Sequence, residues 1–81
     1  MYMTASCPFC QAADRLLAQK GAEVDRIRVD LEPARRAEMM QKSGRRTVPQ
    51  IWIGERHVGG YDELSALEHQ GKLAPLLAAQ H

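Results

Sequence analysis

The first half of this chain contains two segments that each begin at a proline and end at a glycine. Pro8 and Gly21 bound the first segment, and Pro33 and Gly44 bound the second. Proline fits the first turn of a helix, and glycine suits the position just after a helix ends. Apolar residues recur at helical spacing within both segments. We therefore predict one helix from Pro8 to Lys20 and another from Pro33 to Gly44.

Short apolar segments around these helices have the alternation of strands. We predict strands over Met1 to Ser6, Val24 to Val29, Ile51 to Ile53 and Arg56 to Val58. A helical crossover makes the first pair parallel, whereas the tight Gly54-Glu55 turn makes the last pair antiparallel. A third helix around Leu64 and Leu67 and a short terminal helix follow. The order is β-α-β-α-β-β-α, with one more short helix.

This order predicts an α/β fold with a four-stranded mixed sheet and helices on both faces. With 81 residues, of which 44% are apolar and 26% are charged, we expect a single globular domain over residues 1–81. Alternation predicts that Ile27, Val29 and Leu31 share one face of the second strand. Helical spacing predicts that Ala37 and Met40 face the core.

The charge balance offers no general attraction for nucleic acid or an anionic membrane. Eleven basic and ten acidic side chains leave a net charge of +1. The longest apolar stretch, Leu73 to Ala79, spans seven residues and contains Pro75, far short of a membrane helix. The first ten residues lack the pattern of a secretory signal. We expect a cytoplasmic protein with no nucleic-acid or membrane partner.

The two cysteines, Cys7 and Cys10, favour reactivity over structural cross-linking. A disulfide closing so short a loop would contribute only about 2 kcal/mol, against about 3 for fifteen residues. A C-x-x-C pair that follows a strand and opens a helix is typical of a thioredoxin-like redox motif. The helix N-terminus stabilises a thiolate, so Cys7 is the predicted nucleophile. Cys10, one turn along and facing inward, is the predicted resolving thiol.

The cysteines could instead be two small buried apolar residues or half of a zinc site. Structural zinc needs about four ligands, and the sequence contains no second C-x-x-C and no H-x-x-x-H. We therefore favour the redox interpretation and expect no metal.

Three motifs together resemble a known family. They are Cys7-Pro8-Phe9-Cys10, Thr47-Val48-Pro49-Gln50-Ile51 and Gly59-Gly60-Tyr61-Asp62. Their order and spacing are those of the dithiol glutaredoxins, and the chain is similar to short bacterial members from Tyr2 to Leu77. The resemblance implies a thioredoxin-like fold and glutathione as the reducing co-substrate. Disulfide-bonded or glutathionylated proteins are then the expected partners, and we expect a monomer.

The resemblance also implies how glutathione binds. Pro49 is expected to be a cis proline facing the cysteines, with the backbone of Val48 pairing with the extended tripeptide. The γ-glutamyl end is expected at the start of the third helix, and the glycyl carboxylate near Gln41 and Arg46. The candidate glutathione-binding residues are Phe9, Gln41, Arg46, Thr47, Val48, Pro49, Gly60, Tyr61 and Asp62.

Several of these residues also suit ordinary structural roles. Asp62 fits a helix cap, Arg46 belongs to a charged run that water can solvate, and Phe9 can simply pack. The sequence departs from the family at Thr4, where many members carry a lysine three residues before the nucleophile.

Two other functions fit the same cysteine pair. One is a thioredoxin-like hydrogen donor reduced by a flavin reductase in place of glutathione. The other is a dimer that holds an iron–sulfur cluster through Cys7 and two glutathiones, although Pro8 stiffens the loop and argues against it. A glutathione-dependent thiol-disulfide oxidoreductase is the function we favour.

Overall fold

The computed structural model describes residues 1–79. The predicted domain, residues 1–81, therefore ends with two residues that lie outside the described range. The strands are β1 Tyr2–Met3, β2 Ile27–Arg28, β3 Ile51–Ile53 and β4 Arg56–Gly59. The helices are α1 Pro8–Gln19, α2 Pro33–Ser43, α3 Tyr61–His69 and α4 Leu73–Ala78.

The helix boundaries confirm the proline and glycine signals. Pro8 and Pro33 are the first residues of α1 and α2. Gly44 ends α2 in the left-handed conformation, with φ of 71°, and its N–H donates to the Met40 carbonyl. Glycine adopts this conformation without steric cost, so the local sequence is sufficient to stop the helix there.

The strands form two two-stranded sheets, which a single bridge joins into a mixed arrangement in the order β2-β1-β3-β4. β1 pairs in parallel with β2, and β3 pairs antiparallel with β4. An isolated antiparallel bridge between Tyr2 and Gln50 joins the two pairs, with N···O distances of 2.9 and 3.1 Å. The predicted α/β class and mixed sheet are confirmed.

The first two strands are shorter than predicted because a strand needs a partner. The parallel register aligns Tyr2 with Ile27 and Met3 with Arg28. Val24 lies outside this ladder, and ahead of it the Asp25 carbonyl accepts a hydrogen bond from the Met1 amino group at 2.7 Å. After Arg28 the chain turns, which leaves Leu31 68% exposed, so its predicted place on the strand face was wrong.

Apolar side chains form one core cluster on each face of the sheet. One cluster combines sheet residues with α1, α3 and α4, and its central members are Ala13, Leu17, Ile51, Ile53, Leu64 and Leu73. The other cluster places Met39 of α2 against Tyr2 and Val29. Helices thus cover both faces, as predicted.

The inward face of α2 differs from the prediction. Met39 is fully buried, Met40 is half-buried and Ala37 is exposed. The helix turns its largest apolar side chains toward the sheet. Their burial stabilises the folded protein more than the burial of an alanine methyl group would. Within the described range, no helix is long and apolar enough to cross a membrane.

Candidate active site

Cys7 occupies the N-cap position of α1. Its backbone is extended, with φ of −94° and ψ of 111°, and its sulfur accepts a hydrogen bond from the Cys10 N–H at 3.2 Å. The side chain is partly exposed, so a substrate disulfide can approach it. A sulfur at this position receives a backbone hydrogen-bond donor and lies at the positive end of the helix dipole.

Cys10 is in the opposite environment. It lies one turn into α1 with none of its surface exposed, which confirms the predicted inward orientation. Burial raises the pKa of the Cys10 thiol from 9.0 to about 12, and the hydrogen bond with Cys7 acts in the same direction. A backbone hydrogen bond from Thr4 opposes the rise in pKa. One thiol of the pair is accessible while the other is held protonated.

The loop before β3 faces Cys7. The Val48–Pro49 peptide bond is cis, as the resemblance implies. The Val48 carbonyl oxygen lies 3.6 Å from the Cys7 sulfur, within reach of a thiol donor. Pro49 is buried and Val48 is half-buried, so the loop is packed against the body of the protein next to α1.

The start of α3 adjoins the same loop. Gly60 is the N-cap residue, and a side-chain carbon at this position would lie 3.5 Å from the Pro49 carbonyl oxygen. At Gly59, φ is 117° and an added Cβ would meet a Glu63 carboxylate oxygen at 2.5 Å, so only glycine fits. The separation at Gly60 is an ordinary van der Waals contact, so the start of α3 lies next to the cis-proline loop.

Two aromatic rings lie beside these backbone groups. Phe9 and Tyr61 stack with their ring centroids 6.3 Å apart and an interplanar angle of 29°. Phe9 remains 60% exposed. Its apolar surface is therefore available at the rim of the site, and its contact with Tyr61 joins the start of α1 to the start of α3.

Glu63 connects α3 to the loop that precedes Thr47. Its carboxylate accepts from the Gly60 N–H at 3.3 Å and forms an ion pair with Arg45. The Arg45 hydrogen bond is the main cause that holds the pKa of Glu63 below its usual range. Arg45 is thus already paired within the protein, which the sequence did not indicate.

The other predicted residues are exposed. Gln41 lies in α2, and Arg46 lies in the loop between α2 and β3. Asp62 is exposed in the first turn of α3. Thr47 is exposed, but its carbonyl and hydroxyl oxygens both accept from the Gln50 side chain. Their roles toward a ligand remain predictions.

The sequence alone indicated no function for Gln50 or His57. The structure joins them: the Gln50 amide oxygen and the His57 ring nitrogen Nε2 are 2.8 Å apart. A glutamine at the entry to an apolar strand was the available signal, since a polar side chain buried there needs partners. The part of the chain described here holds no cluster of three or more His, Cys, Asp or Glu side chains suited to a metal ion.

Known proteins resemble this chain in both sequence and fold. The glutaredoxin family model matches residues 1–58. A glutaredoxin of Pseudomonas aeruginosa is 54% identical over 79 residues, covering 98% of this chain and 94% of the relative. Glutaredoxin 3 of Escherichia coli is 46% identical over 77 residues, covering 95% and 93%. A crystal structure of a buckwheat glutaredoxin–glutathione complex superposes with a TM-score of 0.91 at 34% identity, covering 98% of this chain and 74% of the other.

Proposed function

This chain belongs to the glutaredoxin family, and from that premise we propose that it is a glutathione-dependent thiol-disulfide oxidoreductase. Its fold is thioredoxin-like, and the family supports thiol oxidoreductase chemistry. In the proposal, the protein reduces protein disulfides and glutathione mixed disulfides through the motif from Cys7 to Cys10. The observation that carries it is an accessible Cys7 sulfur at a helix start beside a fully buried Cys10.

Reduction of a glutathionylated substrate needs only Cys7. Its thiolate attacks the glutathione sulfur of the mixed disulfide, forming a Cys7–glutathione bond while the substrate leaves as a thiolate and takes up a proton. A second glutathione thiolate then attacks the glutathione sulfur held on Cys7. Oxidised glutathione leaves, and the Cys7 thiolate is restored with the Cys10 N–H still available as its hydrogen-bond donor.

Reduction of a protein disulfide requires the second thiol. Cys7 first forms a mixed disulfide with the protein, releasing one protein thiolate. Cys10 then loses its proton and attacks the Cys7 sulfur, which releases the second protein thiol and leaves a Cys7–Cys10 disulfide. Two glutathiones reduce that bond. Because burial keeps Cys10 protonated, this thiol does not compete with Cys7 for the first attack.

The backbone around Cys7 is suited to an extended tripeptide. In the proposal, the Val48 backbone pairs with the cysteinyl unit of glutathione, and N–H groups at the start of α3 receive the γ-glutamyl carboxylate. Support comes from the short separations among Cys7, Val48, Pro49 and Gly60. The buckwheat relative, which is described as a glutathione complex, supports the same ligand.

The remaining candidate residues complete the proposed groove. Phe9 and Tyr61 form its aromatic rim, Thr47 and Asp62 lie at its edges, and Gln41 and Arg46 are assigned to the glycyl carboxylate. We propose a monomer that acts in the cytoplasm, where glutathione and thioredoxin systems keep thiols reduced.

Paired serine variants test the reaction. In an assay coupled to glutathione reductase with a glutathionylated peptide as substrate, Cys7→Ser should abolish activity and Cys10→Ser should retain most of it. With a protein disulfide as substrate, both variants should be inactive. Equal loss of peptide activity in both variants would contradict the Cys7-only route. Activity of the unmodified protein with a flavin reductase but not with glutathione would contradict the proposed reductant.

A further inference from the structure

Gln50 is the one polar side chain with no exposed surface among residues 1–79. Its amide nitrogen donates to the Thr47 carbonyl oxygen at 3.0 Å and to the Thr47 hydroxyl at 3.2 Å. Its amide oxygen is 2.8 Å from Nε2 of His57. A buried amide is tolerated only when its donors and acceptor are satisfied, so these contacts fix the side chain in one orientation.

The chemistry of the partners sets the direction of each hydrogen bond. The Thr47 carbonyl can only accept, so the amide nitrogen of Gln50 must face it. The amide oxygen then faces His57, whose Nε2 must carry a proton and donate. The His57 ring stacks on Trp52 with centroids 4.4 Å apart, which anchors the donor to the sheet.

Both ends of the cis-proline loop are thereby tied to Gln50. The Gln50 N–H donates to the Tyr2 carbonyl, and the Gln50 carbonyl accepts from the Tyr2 N–H, which holds the residue next to β1. Its side chain reaches back to Thr47, at the far side of Val48 and Pro49. Val48, whose carbonyl faces the Cys7 sulfur, thus lies inside a ring closed by one glutamine side chain.

We propose that Gln50 is a positioning residue for the glutathione groove. It acts through Thr47, holding the Val48 backbone at the distance from Cys7 at which an extended peptide can pair with it. His57 supports this role by fixing the amide oxygen of Gln50. The inference rests on the proposed function, because the backbone it positions is the one assigned to glutathione.

Gln50→Met tests the proposal because methionine keeps the length of the side chain and removes all its hydrogen bonds. With a glutathionylated peptide, we expect KM to rise about tenfold and kcat to change by less than about twofold, since a net hydrogen-bond loss of this kind corresponds to such a factor. His57→Phe keeps a ring on Trp52 and removes the donor, so a smaller rise in KM, about threefold, is expected.

Two controls separate positioning from general stability. Leu73→Ala weakens the core cluster that does not contain Val48, so it should lower stability and leave KM unchanged. Amide NMR signals of Thr47 and Val48 should shift or broaden in Gln50→Met and remain unchanged in Leu73→Ala. These signals require no substrate, so they report on the loop even if the protein proves inactive toward glutathionylated peptides.

The outcomes are distinct. Unchanged KM and unchanged Thr47 and Val48 signals in Gln50→Met would overturn the proposal, as would an equal rise in KM in Leu73→Ala. If Gln50→Met fails to fold, His57→Phe decides by the same two measurements. Inactivity of the unmodified protein would contradict the proposed function, while the amide signals would still show whether Gln50 holds the loop.

Discussion

The buried thiol of Cys10 should make the stability of the reduced protein fall at alkaline pH. Burial raises the pKa of this thiol from 9.0 to about 12, so the folded protein holds the proton more tightly than the unfolded chain does. The resulting stabilisation is fully present below the unfolded pKa. It is lost as pH rises from the unfolded value toward the folded value.

The size of the loss follows from the two pKa values. Between neutral pH and about pH 10.5, an unfolded pKa of 9.0 and a folded pKa of about 12 predict a loss of about 2 kcal/mol. The complete loss, reached above the folded pKa, would be about 4 kcal/mol. Against a total stability of about 5 to 15 kcal/mol, either change is readily measured.

Urea unfolding of the reduced protein and of Cys10→Ala, at several pH values, measures this effect. Removing the side chain lowers stability at neutral pH, but the variant has no thiol at this position to ionise. The difference in the free energy of unfolding between the two proteins should therefore decrease by about 2 kcal/mol at about pH 10.5. Tyr2 also has a pKa raised by burial, and its contribution cancels because both proteins contain it. A difference in the free energy of unfolding that stays constant with pH would contradict the raised pKa of Cys10.

Two further predictions concern charges near the site. Thr4→Lys should lower the KM for a glutathionylated peptide by up to about fivefold, because a cation attracts the glycyl carboxylate. This decrease in KM should become smaller as the salt concentration rises. Equal KM values in Thr4→Lys and Thr4→Gln would show that position 4 does not face the ligand. Glu63→Gln should lower the free energy of unfolding by about 0.5 to 1 kcal/mol near neutral pH, because it weakens the interaction with Arg45 and removes a negative charge from the start of α3. Because the pKa of Glu63 is lowered, this difference should vanish as acid protonates the carboxylate. Glu68→Gln is the matched control, because Glu68 lies further along α3 and its ion pair is with Lys20 at the end of α1. It should cost less, and equal losses in urea unfolding would contradict the role of the helix start.

Helices were predictable from this sequence because their signals are local. Pro8 and Pro33 act within the first turn, and Gly44 acts within its own backbone angles, so no distant residue is needed. The strands depend on partners elsewhere in the chain. The alternation that extended the second strand from Val24 was real in the sequence, but the observed register pairs only Ile27 and Arg28 with β1, so Val24 lies outside the strand.

The same distinction applies to the site. The cysteine pair and the cis proline belong to short motifs, and the burial of Cys10 follows from helical spacing. The Gln50–His57 hydrogen bond instead crosses between strands, and the Arg45–Glu63 pair joins residues 18 apart in the sequence. Such contacts depend on where the tertiary fold brings two elements, and composition or spacing does not specify them.

The bridge between Tyr2 and Gln50 joins two segments of the chain that contain different parts of the candidate site. Residues 1–44 contain both thiols, and the segment from Arg45 onward contains the cis-proline loop and the start of α3. The two thiols and the backbone proposed to pair with glutathione are thus encoded in separate segments, which meet at the bridge between Tyr2 and Gln50. A fragment ending before Val48 would keep both sulfurs and lack that backbone. Substitutions in the second half can therefore change which disulfides reach the thiols while the thiol-bearing segment stays the same.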